Sequence, residues 1–155
     1  NLMDNGITRV DHLSELPNLR TLILAFNRIS ILSGISTMSE LNYLDISHNK
    51  IKRLPSFEGL STIETLQMHS NELHDVSDFA QLAYLRKLIQ LSVAQNPINS
   101  TKCLAKILKF APQLQFLDEG RINQKDRDEA NGESQDMDEA LIRSQANIIE
   151  RSMTD

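Results

Sequence analysis

The chain has one cysteine and only five glycines among its 155 residues, and each scarcity excludes a class of protein. A lone Cys103 cannot close an internal disulfide, which points to a reducing setting. Five glycines, with no Gly-rich turn between a strand and a helix, leave nothing to cradle a phosphate. No apolar run approaches the roughly 20 residues that a membrane-spanning helix requires, so no membrane partner is expected. Residues Asn1 to Gly6 show no basic stretch followed by a long apolar core, so no retained secretion signal is expected. The formal charge of −5 is local. Residues 1–122 carry 12 basic and 12 acidic groups, whereas the last 33 residues carry 4 and 9. The body therefore has no net field to draw it to nucleic acid or anionic lipid.

Catalytic groups are sparse as well. The four histidines are His12, His48, His69 and His74, and no serine or cysteine stands near them in a nucleophile motif. His48 and His69 are expected on neighbouring strands one position out of register, near enough to meet. No thiolate or carboxylate completes a metal set with them. The expectation is a protein that is not an enzyme, with no catalytic residues, no cofactor and no metal.

What the chain does have is repetition. Asn5, Asn27, Asn49, Asn71 and Asn96 follow one another at intervals of 22, 22, 22 and 25 residues. In that frame Leu19, Leu22, Leu24, Asn27 and Ile29 form one unit, and Leu41, Leu44, Ile46, Asn49 and Ile51 the next. Ile63, Leu66, Met68, Asn71 and Leu73 follow, then Leu88, Leu91, Val93, Asn96 and Ile98. The template is Leu-x-x-Leu-x-Leu-x-x-Asn-x-Leu, a repeat period that marks a solenoid.

Residues 2–122 resemble the 22-residue class of intracellular leucine-rich repeats typified by a regulatory subunit of protein phosphatase 1. That class places apolar residues every three positions through the second half of each unit. Ile29, Leu32, Ile35, Met38 and Leu41 match this, as do Ile51, Leu54, Phe57, Leu60 and Ile63. The stretch Leu104, Ile107, Leu108, Pro112, Leu114, Leu117 and Asp118 resembles the C-terminal cap of the eukaryotic members, in a shorter form. Bacterial adhesins also use 22-residue repeats, but the eukaryotic-type cap argues against that group. The resemblance implies an α/β fold: a right-handed leucine-rich-repeat solenoid with a parallel sheet on the concave face, short helical turns on the convex face, a C-terminal cap and a terminal helix.

The spacing has its own physical reading. Leu22 and Leu24 are two apart and point to one side of a short strand, while Thr21, Ile23 and Ala25 point to the other. No unit can bury its leucines alone, so units stack, one strand each, into a parallel sheet. The asparagine sits where the chain leaves the strand, and its amide can both donate to and accept from backbone groups there. The 25-residue unit, with Asp78, Phe79, Leu82, Leu85 and Leu88, holds three extra residues that let its convex side wind further. Ser100 is placed to cap a helix through Leu104, Ile107 and Leu108, with Lys102, Lys106 and Lys109 on a solvated outer face.

The ends depart from the repeat. Leu2, Asn5 and Ile7 match only the close of a unit, so further repeats or a cap are expected before residue 1. Residues 123–135 are polar and aperiodic, the composition of a linker. Over 136–155, Asp136 and Glu139 have capping-box spacing before a stripe of Leu141, Ile142, Ile148, Ile149 and Met153, an amphipathic helix. That helix either packs back on the last repeat or docks on a partner or a second copy, and the oligomeric state stays open.

Strand alternation then names the exposed columns. The first is Thr21, Tyr43, Thr65, Gln90 and Phe116. The second is Ile23, Asp45, Gln67, Ser92 and Asp118, and the third Ala25, Ser47, His69 and Ala94. Phe26, His48, Ser70 and Gln95 form an edge. The expected partner-binding residues are Ile23, Phe26, Tyr43, Asp45, His48, Gln67, His69, Gln90 and Phe116, because apolar and aromatic groups on a rigid concave wall carry interface energy. For Phe26 and Phe116 the alternative is structural: Phe26 tucked into the turn and Phe116 beneath the tail. The expected partner is another protein. The expected role is a scaffold or targeting adaptor within a larger cytoskeletal, centrosomal or ciliary protein, cytoplasmic or cytoskeletal in location. A regulatory subunit of a phosphatase or other enzyme, or a nuclear or spliceosomal repeat protein, are the alternatives.

Overall fold

A computed structural model of the chain describes residues 1–98 and 103–153. Each repeat contributes one three-residue strand: β2 (Thr21–Ile23), β4 (Tyr43–Asp45), β5 (Thr65–Gln67) and β6 (Gln90–Ser92). They pair in parallel in that order, and β7 (Phe116–Leu117) follows β6 in the same sense. β8 (Gly120–Arg121) then folds back antiparallel on β7 and closes this edge of the sheet. A second pair, β1 (Arg9–Val10) with β3 (Ile31–Leu32), joins the outgoing segments of the first two repeats. The molecule is a right-handed leucine-rich-repeat solenoid with the parallel sheet on its concave face, as the resemblance implies.

The register is in phase with the repeat. Leu22, Leu44, Leu66, Leu91 and Leu117 are successive partners across the sheet. Behind them Leu24, Ile46, Met68 and Val93 form a second buried column, and Ile29, Ile51, Leu73 and Ile98 a third. Each column fills space between repeats that neither neighbour could fill alone, so the core is one continuous ribbon of aliphatic side chains.

The asparagine ladder runs alongside. Asn49 Oδ1 accepts from Ile29 N–H, and its Nδ2 donates to the carbonyls of Leu24, Ile46 and Ser47. Asn71 repeats the pattern one unit on, accepting from Ile51 N–H and donating to Ile46, Met68 and His69. Asn96 does so again, from Leu73 N–H to Met68, Val93 and Ala94. Each amide thus binds its own turn to the preceding repeat, and Asn49 and Asn71 do so while buried. Asn5 is exposed and makes no such bridge; Asn27 takes the role at that end, accepting from Asn5 and Ile7 N–H.

Among the described residues the convex side carries three 3-10 helices, Leu13–Glu15, Ile35–Thr37 and Val76–Tyr84. The nine residues of the last are where the 25-residue unit spends its extra length. Asp75 caps it, accepting from Ser77 N–H. Buried Asp78 accepts from Leu54 N–H and takes the Arg53 Nε at 2.8 Å, while Gln81 Oε1 accepts from Phe57 N–H. The unit before it therefore needs no convex helix, because side chains of its neighbour serve its backbone. At Gly59 two units approach closely: at φ 89° a Cβ would stand 2.4 Å from the Ser36 carbonyl oxygen, so only glycine fits.

α1 (Leu104–Phe110) packs against Val76–Tyr84, with Ala105, Ile107 and Leu108 buried and Lys106 and Lys109 facing solvent. Ser100 and Lys102, the expected cap and outer lysine, lie outside the described residues. The expected linker over 123–135 is corrected by the structure. A single helix, α2 (Gln124–Met153), runs through it. Its cap is not at Asp136 but at Asn123, whose side chain accepts from Asp126 N–H while the Asp126 carboxylate accepts from Asn123 N–H. Glu139, expected in a capping box, instead lies 3.4 Å from Arg143 one turn along. The first turns pack on α1 and cover the cap: Ala130 is buried, and Arg127 donates to the carbonyls of Pro112 and Leu114. Of the expected apolar stripe, Ile142 is 65% exposed. The side chains of Leu141, Ile148, Ile149 and Met153 lie outside the described residues.

Candidate functional site

The concave face is built by the alternation that builds the core. Thr21, Tyr43, Thr65, Gln90 and Phe116 are register partners and form one outward column; Ile23, Asp45, Gln67 and Ser92 form the next. The third column departs from expectation. Ala25 and Ser47 are 2% and 3% exposed, because the strands end at Ile23 and Asp45 and the alternation ends with them. The Asp45 carboxylate accepts from both Ser47 N–H and Ser47 Oγ, holding the serine inward. Ser92 is buried as well. His69 and Ala94, one and two repeats further on, stay half-exposed.

The edge is formed by a backbone feature that the residue types did not announce. Phe26, His48, Ser70 and Gln95 all have φ between 52° and 56°, a left-handed conformation uncommon for residues with a side chain. The reason is local. Turning the chain left-handed at this position lets the asparagine that follows reverse into the core, and the residue at the bend is thrown outward at the rim. Phe26 and His48 are therefore stacked, ring centres 4.0 Å apart and planes 11° from parallel. His48 meets His69 edge to face at 4.9 Å. The imidazoles do approach across neighbouring strands, as the spacing suggests. His69 Nδ1 lies 3.2 Å from Ser70 Oγ, and that hydroxyl bonds Gln95 Oε1.

Beyond this row lies a depression of about 660 Å³ in the C-terminal half of the face. His48, Gln67, His69 and Gln90 line it, four of the nine expected binding residues. Its other walls are Ser92, Ala94, Gln95, Asp118 and Glu119. Asp118 also serves the backbone: its carboxylate accepts from Val93 and Ala94 N–H, both at 2.7 Å, and so ends β6. Gln95 and Asp118 stand in the sequence columns without being singled out there, and Glu119 follows from none of them. It is placed by the β7–β8 reversal, for which the repeat has no template.

The remaining expected residues sit around the depression. Tyr43 and Ile23 are half-buried toward the N-terminal end, and the Tyr43 hydroxyl is held above its ordinary value of 10.0 by partial burial first and by the Asp45 charge second. Phe26 and Phe116 are 47% and 38% exposed. The alternatives of a tucked Phe26 and a covered Phe116 are therefore set aside. Among the described residues, no group of three or more His, Cys, Asp or Glu side chains is arranged to hold a metal ion. No described helix is long and apolar enough to cross a membrane.

Comparisons with known proteins agree with this architecture. A leucine-rich-repeat family model matches residues 17–73. Among solved structures, a chain of the Drosophila melanogaster SNF/U2A′ complex is similar at 27% identity and a TM-score of 0.74, over 84% of this chain and 78% of that one. An internalin C2 of Listeria monocytogenes is 30% identical at a TM-score of 0.60, over 72% of this chain and 46% of that one. A chain of a TLR13–ssRNA13 complex is 29% identical at a TM-score of 0.64, over 76% of this chain and 17% of that one. No curated protein matches the chain.

Proposed function

We propose that this chain is a protein-interaction module, not an enzyme, and that it receives one partner protein on its concave face. The observation that carries the reading is the division of labour along each strand. One side is wholly committed to the core, and the other presents Tyr43, Asp45, Gln67, Gln90 and Phe116 in straight register columns, with Phe26, His48 and His69 at the rim. A rigid wall of mixed polar and aromatic side chains fits an extended protein contact, where a few aromatic anchors supply most of the energy. The convex side offers less, since its 3-10 helices and α1 are tied to one another.

The role is that of a scaffold or targeting adaptor in a larger assembly, inside the cell. Two settings divide the proposal. A cytoskeletal, centrosomal or ciliary setting rests on the resemblance of the repeats and cap to intracellular members. A nuclear, spliceosomal setting is favoured by the likeness to the SNF/U2A′ complex, which extends over most of both chains. A phosphatase-regulating role rests on the resemblance to the class's type member alone, and no residue here matches it.

Two variants test the docking face. Tyr43→Glu places a charge on that face and points away from Leu44, so the fold should survive by circular dichroism while retention of the proteins captured by the native chain is lost. Lys106→Glu on α1 should leave retention intact, because a single exposed charge contributes little. Loss with Lys106→Glu and not with Tyr43→Glu would move the binding site to the convex side.

A further inference from the structure

Two glutamines in the depression on the C-terminal half of the concave face carry amides that the fold does not use. Gln67, half-buried, and Gln90, exposed, both line it, and among the described residues neither side-chain amide has a hydrogen-bond partner. Much of the remaining lining is engaged. Asp118 accepts from the Val93 and Ala94 N–H groups. Ser70 Oγ donates to Gln95 Oε1 and lies 3.2 Å from His69 Nδ1, while His48 stacks on Phe26. Glu119 also lines an adjoining depression together with Arg121, so charges of both signs meet there. The pair of free groups that the strands hold in fixed register is therefore neutral.

Each of these amides offers an oxygen that accepts and a nitrogen that donates. That is the electrostatic complement of a peptide group, which presents one N–H and one C=O. Gln67 is the register partner of Ser92, two residues beyond Gln90 on the next strand. With strands about 4.8 Å apart and a rise of about 3.3 Å per residue, the two positions stand roughly 8 Å apart. Along one edge of an extended chain the peptide groups repeat at about 7 Å, a difference that two flexible glutamine side chains absorb. We propose that Gln67 and Gln90 hold the main chain of an extended segment of the partner protein, each amide pairing with one peptide group. The proposal rests on the concave-face reading above and narrows it from a surface to a mode of recognition. Affinity then comes from main-chain hydrogen bonds, so binding tolerates changes of sequence and of salt.

The test offers the full chain a library of random linear peptides displayed on phage. An enriched peptide is then synthesised plain and with single backbone N-methyl groups, and binding is read by fluorescence anisotropy. N-methylation of either contacted peptide group should weaken binding by about tenfold, the scale of a hydrogen bond lost with its partner left unpaired. Gln67→Leu and Gln90→Leu should each weaken the plain peptide by about tenfold and remove the sensitivity to N-methylation at their own contact. Should Gln67→Leu fail to fold by circular dichroism, Gln67→Glu, which keeps the size and loses both donors, replaces it. Gln115→Leu, the same change at an exposed position outside the depression, should alter nothing. Added salt should move the affinity by no more than about twofold. The proposal is overturned if no enriched peptide depends on both glutamines, if N-methylation is without effect at every position, if salt abolishes binding, or if a single-stranded oligouridine binds more tightly than the peptide. Should any of these occur while Tyr43→Glu still releases the native partner, the main-chain proposal falls alone and the docking face stands.

Discussion

Replacing Asn49 by alanine removes an amide that serves four backbone groups, and the cost depends on which of them are left alone. The Leu24 carbonyl keeps Asn27 Nδ2, the Ile46 carbonyl keeps Asn71 Nδ2, and the Ser47 carbonyl keeps the Phe26 N–H. The Ile29 N–H has only Asn49 Oδ1, at 2.9 Å, and Ile29 is fully buried. Orphaning that donor costs about 1–3 kcal/mol, and weakening three carbonyls that retain a partner adds about 0.5 kcal/mol each, so the total is about 3 kcal/mol. At about 2–4 °C per kcal/mol for a chain of this size, the melting temperature should fall by roughly 6–12 °C. Asn27→Ala is the control. Its Oδ1 serves the N–H groups of Asn5 and Ile7, which are exposed and half-buried, so water replaces it and the loss should be about 1 kcal/mol. Asn49→Asp adds a sign test. The carboxylate would keep the Ile29 contact but turn an oxygen toward three carbonyls, which raises its pKa above the unfolded value. Its neutral form then stabilises the fold below the ordinary carboxylate range, and stability falls as pH rises through that range. Calorimetry or urea unfolding decides. If Asn27→Ala proves as damaging as Asn49→Ala, the cost does not come from the orphaned Ile29 donor and the reasoning fails.

Other outcomes follow from single contacts. Gly59→Ala should cost more than about 1 kcal/mol, because φ is positive and the new Cβ would strike the Ser36 carbonyl, whereas Gly6→Ala, in open space, should cost roughly 1 kcal/mol or less in urea unfolding. Asp78→Ala should lower stability by about 1–3 kcal/mol by leaving Leu54 N–H without its acceptor, and Arg53→Ala by less, since Arg53 is largely exposed. In a Tyr84→Phe background, phenolate absorbance should show Tyr43 titrating above 10.0, and Asp45→Asn should remove only the smaller part of that shift. The neutral tyrosine is favoured by the fold, so this contribution is present below 10.0 and is lost as the pH rises through the folded value. Ala130→Glu should detach the first turns of α2 from α1, read as faster proteolysis within α2 while the solenoid's own transition is retained.

The fold was legible because the core is periodic and periodicity is written in residue types. Leu22, Leu24, Asn27 and Ile29 recur as a set since stacked units must present the same shape to one another. The exposed columns obey the same geometry only while the strand lasts. Extending alternation two residues past Asp45 placed Ser47 outside, when the left-handed turn at His48 had already begun and the serine lay buried. The rim column was legible as positions, and the pairing of His48 with His69 followed from their offset. What did not follow was the depression, because its lining includes Glu119, which the β7–β8 reversal places and the repeat does not.

The misread linker has a different cause. An apolar stripe is the usual mark of a helix because most helices are held by burying one face. Residues 123–135 have no such stripe, yet α2 starts there. Its first turns need little burial, because the reciprocal bonds of Asn123 and Asp126 satisfy the opening N–H groups, and Ala130 and Arg127 suffice to fasten the helix to the cap. Gln124 with Asp128 and Lys125 with Glu129, each four residues apart, add support from the solvent side. A helix seated by a cap and two anchors leaves its remaining surface free to be polar, and a polar, aperiodic segment is what a linker looks like too. The distinguishing signal is Asn123 followed three residues on by Asp126, a start signature that carries no apolar period of its own.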